Sequence, residues 1–324
     1  MRALITGGAG FIGSHLADAL LARGFDISLL DNLSTGSMEN IKGICQDIKF
    51  VNGDVRNQTL VERLTENVDL VFHMAAALGV STIMNHTIES VSTNFHGSEI
   101  VMQAALKFNK RLILASTSEI YGKNTKQPLS ETDDRVVGTP QKIRWSYADA
   151  KALEETIAYV LFETKGLRQT TLRFFNTVGP RQTGQYGMVV PRFVQAALNN
   201  QPITVHGDGN QTRVFCHVED VVQAIIGVME ENSTIGEVYN VGGEGEISIN
   251  QLAQKIIKQT HSTSSITYVP HSEVYPLGFE DMQRRIPNTI KIRSALKWIP
   301  KHDIESIIDD IVVYENMRAS FRDH

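Results

Sequence analysis

Thr6-Gly7-Gly8-Ala9-Gly10-Phe11-Ile12-Gly13 follows an apolar run, Arg2–Thr6, and opens a helical pattern, Phe11–Arg23. Glycines at 7, 10 and 13 let backbone N–H groups and the positive end of a helix approach a pyrophosphate. The third lets the helix pack closely on the sheet. Asp31 closes the next predicted strand, 18 residues beyond Gly13, where a carboxylate can accept bonds from an adenosine ribose. A carboxylate there, with no neighbouring Arg, favours NAD over NADP. The same octapeptide could be a tight strand-to-helix turn without a ligand, but strand, helix and acid together favour the dinucleotide.

Working outward, short apolar runs alternate with longer helical patterns as far as residue 175. The predicted strands are Arg2–Thr6, Asp26–Leu30, Ile48–Asn52, Leu70–Met74, Arg111–Ala115 and Gln169–Phe174. Helices are predicted over Phe11–Arg23, Gln58–Thr65, a single long stretch Ile83–Phe108, and Tyr147–Lys165. Such alternation predicts an α/β fold, a Rossmann-type doubly wound parallel sheet. Leu112-Ile113-Leu114-Ala115, apolar at every position, suits a strand covered on both faces. Asn32, Asp54-Val55 and Ala75-Ala76-Ala77 follow the second, third and fourth strands. They are expected along the dinucleotide, Asp54-Val55 near its adenine; for Asp54 a plain turn or cap role fits equally well. Beyond Asn176 the pattern is less regular, with a strand expected near Arg213–Cys216, a helix over Val218–Glu230 and a strand over Val238–Val241. The expected division is a cofactor domain over residues 1–175 and a smaller, partly interleaved α/β substrate lobe over 176–324. Residues 213–241 or so are expected to return to the first domain.

The 324 residues carry 31 Lys and Arg against 36 Asp and Glu, a net charge of −5, which argues against a nucleic-acid or polyanion binder. At 42% hydrophobic and 21% charged, the chain has ample material for a core and no signature of disorder. Two cysteines, Cys45 and Cys216, are too few for a disulfide framework or a zinc cluster and read as reduced thiols. The opening MRALITGGAG lacks a signal-peptide cleavage pattern, and no apolar run is long enough to cross a bilayer. A cytoplasmic protein without membrane contact is expected.

Tyr147-Ala148-Asp149-Ala150-Lys151 places a phenol and an ammonium four residues apart, on one helix face. A phenol with its usual pKa near 10 is a poor base at neutral pH; a nearby positive charge favours the phenolate. Ser116-Thr117-Ser118-Glu119 stands at the carboxyl end of the fifth predicted strand, where open α/β sheets bind ligands. Alone, that cluster would read as a turn.

The glycine turn, Asp31, Thr117–Gly122 and the Tyr147/Lys151 pair together resemble the extended short-chain dehydrogenase/reductases. The likeness is to their NAD-dependent nucleotide-sugar epimerase/dehydratase group, and it spans essentially the whole chain. It implies that Tyr147 takes the proton of a sugar 4-hydroxyl while hydride leaves carbon 4 for NAD. Lys151 would hold the nicotinamide ribose and tune Tyr147, and Thr117 would bond the same hydroxyl. Phe175–Arg181 is similar to the group's substrate-side motif, with Asn176 in it. Gly207–Arg213 is similar to a later turn whose Arg holds a substrate phosphate. Arg181 and Arg192 read equally well as facing the nucleotide or as solvated side chains, and Arg192 is assigned to the substrate side.

Ser118 and Glu119 resemble the decarboxylase and dehydratase branches, in which the 4-ketone either loses carbon dioxide or has its carbon 5 proton taken by a Glu. Gly278–Pro287 is similar to a decarboxylase segment whose Arg, here Arg285, lies at the sugar carboxylate; in epimerases that position can clasp the diphosphate. Leu78-Gly79-Val80-Ser81 departs from both the decarboxylase and the glucuronate epimerase patterns. Decarboxylation of UDP-glucuronate is the expected reaction, ahead of 4,6-dehydration and 4-epimerisation. A catalytically inert NAD(H) sensor is the reading of another class. The resemblance further implies a UDP-sugar partner and a homodimer through helices near 83–108 and 147–165. By itself Asn94, mid-helix, reads as a surface-facing residue, while the resemblance implies a place near the active site; His73 and His86 lack metal-ligand spacing and receive no role.

Overall fold

The computed structural model describes residues 1–77, 79–184, 188–275, 280 and 282–320. Leu78, Gly278, Phe279 and Asp281 of the sequence motifs lie outside that set, as does the side chain of Ser81. In chain order the first elements are β1 (Arg2–Thr6), α1 (Phe11–Leu21), β2 (Asp26–Asp31), β3 (Lys49–Asn52), α2 (Gln58–Glu66) and β4 (Leu70–His73). They continue with α3 (Val80–Asn85), α4 (Thr87–Lys107), β5 (Arg111–Thr117), α5 (Ser146–Lys165) and β6 (Gln169–Phe174). The long helix expected from residue 83 to 108 is two helices. His86, at φ −131° and ψ 46°, leaves the helical region and caps α4, and the Thr87 hydroxyl bonds the Ile83 carbonyl across the break at 2.7 Å.

The rest comprises β7 (Thr177–Val178), α6 (Val189–Leu198), β8 (Ile203–His206), β9 (Thr212–Val214), β10 (Cys216–His217), α7 (Val218–Glu230) and β11 (Val238–Val241). After these come β12 (Glu246–Ser248), α8 (Ile249–Gln259), β13 (Ile266–Val269), α9 (His271–Val274), β14 (Arg284–Arg285), α10 (Ile290–Leu296) and α11 (Ile304–Ser320).

Seven strands form one parallel sheet in the order β3-β2-β1-β4-β5-β6-β11. Strand order reverses between β1 and β4, which opens a crevice at the carboxyl ends of those strands. Ala3, Ile5, Phe72 and Ile113 pack on one face with Leu16 and Leu20 of α1 and Val221 and Ile225 of α7. Leu4, Val71, Leu112 and Leu114 pack on the other with Val101 and Ala105 of α4 and Ala158 of α5. Thus α7 and β11 complete the first layer although they follow the start of the second lobe in sequence.

The strand expected near Arg213–Cys216 is interrupted at Phe215. Before it, β9 pairs with β12 and β14; after it, β10 pairs with β7. Two sheets compete for one stretch of chain, and each takes part of it. A third core, from Val190, Phe193, Ile203, Leu252 and Ile308, holds the second lobe together. Phe215, between β9 and β10, and Ile247 of β12 belong to it.

Candidate active site

The glycine turn bounds a cavity of about 460 Å³, which Phe11, Ile12, Asp31, Asn32, Val55, Ala75 and Ala76 also line. Gly7 has φ +68°, and a Cβ there would stand 2.7 Å from the Ala75 nitrogen; at Gly13 it would stand 2.1 Å from the Gly7 carbonyl. Both positions therefore exclude any side chain, and the turn lies tight against the end of β4. The Asp31 carboxylate accepts the Ala9 N–H at 3.0 Å and the Leu33 N–H at 2.8 Å, while burial raises its pKa. Asp54 faces elsewhere. It binds Arg56 at 2.7 and 2.9 Å and receives Asn32 at 3.2 Å, so that Arg56 and Val55, rather than the Asp54 carboxylate, line the cavity. Buried Asn94 holds the Ala77 N–H and carbonyl at 2.8 and 3.0 Å, fixing the backbone after β4. Glycine cradle, ribose-side carboxylate and small-residue wall fit a dinucleotide.

A second cavity of about 350 Å³ adjoins the first. Phe11, Ile12, Gln182 and Met188 line both. Ser116, Thr117, Ser118, Glu119, Tyr147, Asn176, Arg192, Arg213 and Arg285 line it, with Arg213 and Arg285 side by side on paired strands. Geometry therefore brings the predicted catalytic and substrate-side residues to one cleft, except Lys151, which is buried and lines neither cavity. Tyr147 is almost fully buried and hydrogen-bonded to Thr117; burial and the charges of Glu119 and Glu154 raise its pKa. Lys151, one turn along, donates to the Ala115 carbonyl at 2.9 Å and to Glu154 at 2.8 Å.

Glu119 is the most constrained group in the cleft. Arg144 grips it with two bonds of 2.5 and 2.9 Å, and Arg285 adds a third at 3.3 Å. Burial alone would raise its pKa; the two guanidinium groups overcome that and bring it down to about 2. Arg285 also donates to the Asn176 side-chain oxygen at 2.7 Å, and Asn176 is itself anchored to the Val214 carbonyl at 3.0 Å. Arg144 was not singled out from the sequence. Its signal was its place three residues before Tyr147, one turn upstream on the same side.

A depressed carboxylate stabilises the fold above its ordinary pKa and loses that contribution as pH falls towards the folded value. Glu119→Gln should therefore be less stable than the native chain above about pH 4.5, and the gap should close between there and about pH 2. Denaturant midpoints across that window will test this; a gap independent of pH would contradict it.

Arg192 contacts His206 at 2.7 Å and the Thr204 carbonyl at 3.1 Å. Arg213 bonds the Thr212 carbonyl at 2.8 Å. Both side chains bring positive charge to the cleft. On the opposite side, Arg181 pairs with Asp18 of α1 at 2.6 Å, and His15 of α1 contacts the Pro180 carbonyl at 2.9 Å. The substrate-side loop is thus clasped to the helix that opens the glycine turn.

A dinucleotide cleft continuous with a Tyr–Lys–Thr cluster, with arginines beyond it, defines a Rossmann-type NAD-dependent enzyme. The sequence profile of the NAD dependent epimerase/dehydratase family matches residues 3–242, and the chain belongs to that family. Among relatives, it is 45% identical over 300 residues to UDP-N-acetyl-alpha-D-glucosaminuronate decarboxylase of Bacillus cytotoxicus, covering 92% of each chain. It is 34% identical to UDP-glucuronic acid decarboxylase 1 of Xenopus tropicalis, over 97% of this chain and 72% of that one. Among solved structures, UDP-glucose 4-epimerase of Thermotoga maritima with UDP-glucose superposes with a TM-score of 0.89 at 30% identity, over 98% of this chain and 100% of that one.

Proposed function

We propose that the protein removes the carboxyl group of a UDP-linked hexuronic acid through a 4-keto intermediate, giving a UDP-pentose. The observation that carries this reading is the locking of Glu119 between Arg144 and Arg285. A carboxylate whose pKa is held near about 2 is a poor base for a carbon 5 proton, as dehydration would require. Two guanidinium groups beside it suit a substrate carboxylate, and Arg285 is the one already shared with Asn176. The decarboxylase names of the two relatives support the same choice. Because the relative at 45% identity is named for the 2-acetamido sugar, UDP-N-acetylglucosaminuronate is the preferred substrate and UDP-glucuronate the second.

The glycine turn, Asp31, Asn32, Val55, Ala75, Ala76 and Lys151 would hold NAD, which when bound would supply a reversible hydride acceptor for carbon 4. Tyr147 accepts the proton of the 4-hydroxyl, which Thr117 orients. Ser118 lines the same cleft. With the 4-ketone formed, the bond from carbon 5 to the carboxyl carbon breaks. Carbon dioxide leaves as the electron pair of that bond moves onto the ketone oxygen, and carbon 5 of the resulting enolate then takes a proton from water. Tyr147, now a phenol, donates to the developing enolate oxygen. Arg192 and Arg213 hold the diphosphate end.

Incubation with UDP-, dTDP- and GDP-sugars, with products weighed by mass spectrometry, tests the reading. Loss of carbon dioxide from either UDP-hexuronate is expected. Loss of water would replace it with dehydration, and no mass change with 4-epimerisation. No turnover of any sugar by a chain that binds NAD would favour a sensor.

The protein is further proposed to be a cytoplasmic homodimer through α4 and α5. No helix among the described residues is long and apolar enough to cross a membrane, and both cysteines are free thiols. Ile88 on α4 and Leu153, Tyr159 and Val160 on α5 are exposed apolar side chains that a second copy would cover. Light scattering should give twice the chain mass, and Leu153→Glu with Val160→Glu should give the monomer.

A further inference from the structure

Behind Tyr147 a single line of hydrogen bonds crosses the protein interior from β1 to α5. The Thr6 hydroxyl donates to His73 Nδ1 at 2.7 Å, and His73 Nε2–H donates to the Ser98 oxygen at 2.8 Å. The Ser98 hydroxyl donates to Glu154 Oε2 at 2.7 Å, and Lys151 donates to that same oxygen at 2.8 Å. This order of donors satisfies both nitrogens of a neutral His73, and none of the five residues is more than 2% exposed. Glu154 Oε2 thus ends two donor lines, while its Oε1 is buried and has no partner among the described residues.

A buried carboxylate with one bare oxygen is costly unless a charge holds it there. Among the described residues, the cation paired with it is Lys151. The neighbouring Glu155 is taken by Arg173 at 2.7 Å and Ser116 at 2.5 Å, and Glu119 by Arg144 and Arg285.

We infer that Glu154 is a positioning residue for the catalytic pair. Held by Ser98 and His73, it fixes the Lys151 ammonium against the Ala115 carbonyl and offsets its charge, so that Lys151 by itself does not make Tyr147 a phenolate. The inference rests on the reading of Tyr147 as the base. Its electrostatic direction agrees with the upward push that the Glu154 charge exerts on Tyr147. The sequence holds no hint of it, because His73, Ser98 and Glu154 come from three separate elements.

The test follows tyrosinate absorbance during a pH titration of the NAD-loaded protein, subtracting the same titration of Tyr147→Phe. It uses no sugar, so it succeeds or fails independently of the decarboxylase reading. Glu154→Gln, close to isosteric, should move the Tyr147 transition down by about one pH unit. Ser98→Ala keeps the carboxylate and its charge, and should leave the transition close to native. An unmoved or raised transition in Glu154→Gln with a native melting temperature would overturn the inference. If Glu154→Gln does not fold, Glu154→Met, which also removes the charge, takes its place, and an unmoved transition there decides against it.

Discussion

Tyr147→Phe is expected to lower kcat by about 10³-fold, the range of a lost general acid–base group. KM for the nucleotide sugar and NAD content should change little. The phenyl ring fills the same buried site, so the packing of α5 on β5 is kept, while the atom that exchanges the 4-hydroxyl proton is gone. Because the group acts in the transition state and not in uniform binding, the loss belongs in kcat. Steady-state kinetics with cofactor occupancy read by absorbance will check it. A loss confined to KM, or activity within tenfold of native, would remove Tyr147 as the base.

Arg285→Ala is expected to cost about 10²-fold in kcat/KM for the hexuronate, in keeping with about 2–5 kcal/mol for removing one partner of a buried charge pair. Two interactions disappear together: the bond to Asn176 and the third bond to Glu119. Arg285→Lys should recover part of the loss, since a lysine supplies charge without the planar fork. Inhibition by UDP, which has no sugar carboxylate, separates the two roles available to this arginine. Unchanged UDP inhibition in Arg285→Ala assigns it to the carboxylate. Weakening by the same factor assigns it to the diphosphate.

The cofactor half of the molecule was legible because its signals are local. A strand, a glycine turn and a carboxylate follow one another within 31 residues, and each is dictated by backbone geometry rather than by distant partners. Six strands were read within two residues of their ends for the same reason. The failures are non-local. His86 breaks a helix that periodicity alone would continue. Phe215 divides a strand because two sheets bid for it. The short β12 and β14 exist only by pairing with β9. Residue type and spacing pointed to Thr117, Glu119 and Tyr147, which line the cleft, and to Lys151, which lies buried one turn from Tyr147, but the state of Glu119 was hidden. That state depends on Arg144 and Arg285, the latter 166 residues away in sequence. His73, dismissed as a metal ligand, is a link in a buried chain whose other members lie on different elements.

The clasp between the substrate-side loop and α1 bears on how long a dinucleotide stays. Arg181, Gln182 and Thr183 wall the cofactor cavity, while Asp18 and His15 anchor the loop from beneath. Gln182 of that loop lines the cofactor cavity and the neighbouring cleft alike, so a displacement of the clasp would open both cavities at once.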